Sequence, residues 1–136
     1  MLNLARLRFL SRAEGVLSID IDELVHSTRG ESIFDRVRSD RLGYVRFVSQ
    51  WLDSDAPQAA VRHADHSIVH SDLRACPPKF CVRPSGPLGT LSWSVHDLEF
   101  WATRWIPISR RFRYDHCRRL TTDWKQGRRL KGASVL

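Results

Sequence analysis

The sequence predicts a small, mainly α-helical domain, α+β with minor strand content. Three observations predict it. Apolar residues recur at three- and four-residue spacing along most of the 136-residue chain. Cap and stop residues bracket those runs. Alternation of the kind a strand needs is confined to short stretches such as Val16–Asp22.

Taken in order, Leu2 to Ala13 places Leu4, Leu7, Phe9 and Leu10 at near-helical spacing, and Gly15 follows as a stop. Val16–Asp22 then reads as a short strand, or as the lead-in to a helix capped by Ser18 or Asp20. Thr28-Arg29-Gly30-Glu31 has the capping-box form. Behind it come Ile33, Phe34 and Val37, then Leu42, with Val45, Val48 and Leu52 as one helical stripe. Gly43 divides the two halves of that stretch, and Asp53 to Pro57 closes it.

The predicted order of helix, break, helix, Gly30 turn and a longer arginine-bearing helix resembles a helix-turn-helix arrangement. The likeness is to a topology, carried by about 50 residues and no diagnostic motif. A plain helical subdomain is the alternative reading of residues 1–56.

Residues 57–74 read as a further helix, with Val61, Ala64 and Ile68 on its apolar side and His63, His66 and His70 in a stripe opposite. From 75 to 92 six Pro and Gly residues make a connector, with Phe80-Cys81-Val82 as a short strand inside it. Residues 93–136 return to helices. Leu98, Trp101 and Trp105 line the first, which Pro107 ends. Ser109 caps a second, from Arg110 to about Trp124, with Phe112, His116, Leu120 and Trp124 as its buried stripe. On this reading the tryptophans are mainly core.

Charge is the most informative feature. The chain carries 22 basic and 15 acidic residues, a formal +7. Residues 1–75 hold ten basic and eleven acidic side chains, whereas residues 76–136 hold twelve and four. Nineteen of the 22 cations are arginine, whose planar fork bonds phosphate in two places and stacks on bases. Codon drift in a GC-rich genome explains the arginine bias itself, but it acts on both halves and does not explain the clustering. The expectation is a nucleic-acid-binding protein, for DNA or RNA, that contacts phosphates through a C-terminal arginine-rich helical face. The residues assigned to it are Arg104, Arg110, Arg111, Arg113, Arg118, Arg119, Lys125, Arg128, Arg129 and Lys131, with Tyr114 as the base-stacking ring.

Two other readings compete. Arginine is also enriched where proteins meet proteins, so an adaptor or inhibitor docking an acidic partner fits the same charge, with the neutral half available for a homodimer. His66, His70, Cys76 and Cys81 could complete a tetrahedral zinc site, although the cysteines lack the tight C-x2-C spacing. No cofactor is otherwise expected.

Catalysis finds little support, and the expectation is a non-enzyme. No GxSxG, Walker loop or H-E-x-x-H occurs. Ile68 to Arg74 is similar to the catalytic loop of protein kinases, but no Gly-rich loop precedes it and the first lysine is Lys79. Three cysteines are too few for a disulfide scaffold and fit a reducing, cytoplasmic location. No apolar run approaches the ~18 residues of a membrane span, and arginines interrupt the opening segment, which argues against a signal peptide.

Overall fold

The computed structural model describes residues 2–55, 62–70 and 76–118. Its architecture corrects the expected fold class. Among the described residues the protein is mostly β, a six-stranded sheet curled into a half-barrel, with two short helices. The strands are β1 (Val16–Leu17), β2 (Glu23–Ser27), β3 (Tyr44–Asp53), β4 (Ile68–His70), β5 (Lys79–Val82) and β6 (Phe112–Cys117). Helix α1 (Leu2–Ala5) runs on into a π-helical turn, Arg6–Leu10, and α2 spans Ile33–Ser39.

The sheet order is β1-β5-β3-β6-β2, with β4 also paired to β3. Strand β3 organises everything. Its first half pairs antiparallel with β5 (Val45 with Cys81), its last residues with β4 (Leu52 with Val69), and residues 48–52 run parallel to β6. Strand β2 adds antiparallel to β6, Glu23 opposite His116.

The tyrosine, valine, phenylalanine and tryptophan content of β3 favours a pleated surface, and the β5, β6 and β4 ladders between them take up backbone groups along its whole length. The supposed helical stripe Val45/Val48/Leu52 is split across the two faces: Val45 is buried in the inner core, while Val48 is exposed. In β6 the four-residue spacing of Phe112 and His116 is real, but four is an even number and also keeps residues on one face of a strand. Tyr114 between them, fully buried, decides for the strand.

The N-terminal part is therefore no helix-turn-helix. The segment expected to open a helix at Glu23 is β2, and the expected long helix over 42–52 is β3. Helix α2 does form, yet it is capped by Ser32, whose hydroxyl accepts from Phe34 N at 3.2 Å, and not by Thr28. The histidine helix is likewise absent among the described residues: His63–Asp65 is one 3₁₀ turn and His70 belongs to β4.

Two cores cover the sheet. Inside the curl, Ile33 and Val37 of α2 pack on Val45, Phe47, Cys81, Phe112 and Tyr114, with Phe47 and Tyr114 meeting edge to face at 6.0 Å. On the other face Tyr44, Phe80 and Val82 meet Trp93 and Leu98, flanked by Leu2 and Leu10. The loop between Val82 and Trp93 is held tightly there: Trp93 Nε1 and an Arg6 guanidinium nitrogen both donate to Gly89 O, at 3.2 and 3.1 Å.

Polar residues line the far end of the curl. Lys79 Nζ is completely buried and lies 2.9 Å from both Asp20 Oδ2 and Glu23 Oε2. His116 stacks on Trp51 at 4.2 Å and lies 3.4 Å from Asp22 Oδ2. Among the described residues no helix is long and apolar enough to cross a membrane.

Candidate nucleic-acid interface

The segment Ile106–Arg111 is pinned along the free edge of the first half of β3. Pro107 ends the 3₁₀ turn Trp101–Trp105, and Ser109 N then donates to Arg46 O at 2.7 Å. Thr28, beyond β2, donates its N–H to Arg111 O at 2.8 Å. Two neighbouring clefts result, sharing Arg46 and residues 106–110 as a common wall.

The first cleft, ≈ 600 Å³, lies toward the C-terminal end of α2 and is lined by Arg29, Arg36, Arg41, Arg46, Arg110 and Arg111, with Asp40 as its acidic residue. The second, ≈ 780 Å³, opens over the outer face of the sheet beside Val48 and is lined by Arg46, Arg104, Trp105, Arg110 and Arg113. Eight arginines among the described residues thus face the pair of clefts.

Three of the eight have carboxylate partners. Arg36 bonds Asp40 at 3.0 Å, Arg111 reaches Glu31 at 3.2 Å, and Arg46 lies 3.3 Å from Asp97. Asp97 also accepts from the Tyr44 hydroxyl, so it fixes β3 and the loop 94–98 in one arrangement. Arg29, Arg41, Arg104, Arg110 and Arg113 form no ion pair among the described residues, and all five are exposed. Two of them are held by groups other than carboxylates: Arg104 Nε donates to Trp101 O at 2.8 Å, and Arg113 Nε to His26 Nε2 at 3.1 Å. Orientation without charge neutralisation leaves a guanidinium able to take an anion.

Sequence reasoning singles out Arg104, Arg110, Arg111 and Arg113, and the fold brings these four together, though on a 3₁₀ turn, a loop and a strand instead of one long helical face. It misses Arg29, Arg36, Arg41 and Arg46, hidden because the half that carries them sums to near neutrality. Part of the acidic charge of that half turns away from the clefts: Asp20 and Glu23 are spent on Lys79. Arg118 lies at the other end of β6 and binds Asp53 at 3.2 Å. Arg119, Lys125, Arg128, Arg129 and Lys131 lie outside the described residues.

Tyr114 is not a stacking platform. It is fully buried on the inner face of β6, its hydroxyl donates to Pro77 O at 2.5 Å, and burial raises its pKa. Exposed rings are found instead on the 3₁₀ turn, where Trp105 is 75% and Trp101 65% exposed; the sequence pattern puts both in the core, where Trp93 does lie.

The zinc set does not assemble among the described residues. Nδ1 and Nε2 of His66 are taken by Arg62 O at 2.9 Å and Arg118 O at 2.6 Å. Cys76 and Cys81 are free and buried, and burial pushes the Cys81 thiol up to about 12 and raises Cys76. No group of three or more His, Cys, Asp or Glu among the described residues could hold a metal ion. The His70 side chain lies outside what the structure describes.

No protein-family model matches the chain, and neither a curated protein nor a solved structure does.

Proposed function

We propose that the protein binds nucleic acid, its paired clefts engaging phosphates through arginine. One observation carries the reading: eight described arginines, from α2 and the loops on either side of it, β3, the Trp101–Trp105 turn, the 106–111 segment and β6, converge on two adjoining clefts, and five of them lack a carboxylate partner among the described residues. Gathering like charges without counter-ions is unfavourable, so it is retained where an anion completes it. The three free, buried cysteines among the described residues support a reducing, cytoplasmic setting for this binding.

Five phosphates engaged predict a fall of log affinity against log salt with slope of about −3.5 to −4.5. Fluorescence anisotropy of a labelled oligonucleotide between about 50 and 300 mM KCl, where the Debye length shortens from about 14 to about 6 Å, measures it. An undetectable complex at the lowest salt removes the reading. The exposed tryptophans beside the arginines also suit a protein partner of acidic surface, since Trp and Arg dominate such interfaces. A pull-down retained after nuclease treatment favours that second reading.

A further inference from the structure

The second cleft differs from the first in having an aromatic wall. Trp105 is 75% exposed and stands beside Arg104, Arg110 and Arg113. Among the described residues no aromatic ring or guanidinium stacks on its indole, in contrast to Phe100 with Trp101 at 5.8 Å and Arg6 over Trp93 at 5.8 Å. Such a ring keeps a large apolar face in water, next to cations that have no counter-charge.

We propose that Trp105 is a base-stacking platform and that the ligand of these clefts is a single-stranded nucleic acid. The inference rests on the phosphate-binding reading and sharpens it. In a duplex the faces of the bases are stacked on each other, and only their edges reach a protein. In a single strand each base offers a free π-face, and an indole flanked by guanidinium groups takes the base while the arginines take the phosphates on either side. Arginines alone would hold either polymer; the unpartnered indole selects the unpaired one. Arg104, its Nε held by Trp101 O, keeps a guanidinium at the edge of the same turn.

The test uses the whole chain with two fluorescein-labelled probes, dT20 and the dT20·dA20 duplex, at 50 mM KCl. The wild type should bind dT20 at least tenfold more tightly than the duplex. Trp105→Ala should lose about 5- to 150-fold on dT20, the range for removing one stacking ring, with little change on the duplex and an unchanged melting temperature. Trp105→Phe should restore most of the loss, and Trp101→Ala, outside the cleft lining, should match wild type. Quenching of tryptophan fluorescence by dT20 should shrink in Trp105→Ala. Equal affinity for both probes, or no loss in Trp105→Ala, overturns the stacking proposal and leaves phosphate binding standing. Absence of binding to either probe overturns both.

Discussion

The ammonium of Lys79 sits 2.9 Å from Oε2 of Glu23, with side-chain exposures of 0% and 2%, and the two residues belong to strands that are not neighbours in the sheet. Strands β5 and β2 are separated by β3 and β6, so the pair bridges the concavity of the curl. A buried pair of this kind is costly to break from one side, because the survivor is left charged and dry. Lys79→Met or Glu23→Leu alone should destabilise by about 3–5 kcal/mol, while the two together should cost far less. Urea unfolding of the two singles and the double measures the coupling. A single-variant cost under about 1 kcal/mol, the ceiling for an exposed pair, would mean solvent reaches the site.

A second prediction concerns the loop that walls the outer core. A Cβ built on Gly89 would stand 2.2 Å from Arg83 O and 2.3 Å from Pro84 O, both backbone atoms that cannot swing aside. Gly89→Ala should therefore cost at least the ~1–3 kcal/mol of an overpacked core and loosen Trp93. Gly30, with φ of +75° and open space around it, offers the contrast: alanine there incurs only the left-handed backbone penalty, about 1–2 kcal/mol. Thermal melts of the two variants rank them.

Alkaline pH should unfold the protein through its buried thiols. Burial holds the Cys81 thiol at about 12 against 9.0 for a free one. Below pH 9 both states keep the proton and stability is unaffected. Between 9 and about 12 the unfolded chain ionises and the folded chain does not, so stability falls with rising pH. One such group contributes a slope near 1.4 kcal/mol per pH unit. Burial raises Tyr44 and Tyr114 too, which adds to the loss above pH 10. Urea midpoints at about pH 7, 8.5, 10 and 11 test this, and Cys81→Ala should fall less steeply.

Arg41 and Arg110 are exposed and without a carboxylate partner among the described residues. Replacing both by alanine should flatten the salt slope by about 2, roughly one unit for each phosphate no longer engaged, with the melting temperature unmoved. Arg118→Ala, which removes a partner of Asp53 at the opposite end of β6, should leave affinity intact. Anisotropy titrations at several salt concentrations distinguish them, and equal losses in Arg118→Ala would place the binding surface elsewhere.

Local signals carry through to the fold better than the global assignment does. The N-terminal helix, the strand at Val16, the strand within the Pro/Gly-rich connector and four cleft arginines are all legible in the sequence. The fold class is not, because a spacing of four, as at Phe112 and His116, fits a helix and one face of a strand alike. The intervening Tyr114 and the run Tyr44-Val45-Arg46-Phe47 hold the contrary information, as period-two burial and β-branched or aromatic content. Arg46 and Arg41 stay invisible for another reason: summing charge along the chain cannot show which carboxylates turn inward to neutralise a buried lysine.

Strand β3 also dictates how the chain must assemble. Its parallel neighbour lies far downstream, with Val48 aligned to Arg113, so this ladder closes only after the long stretch between those two residues has emerged. Entropy lost in drawing such distant pieces together is spent before any pairing rewards it. Refolding on the slow, millisecond-to-second scale of non-local β topologies follows, with the middle strand's bare flank vulnerable to capture by another nascent copy until its late-arriving mate docks.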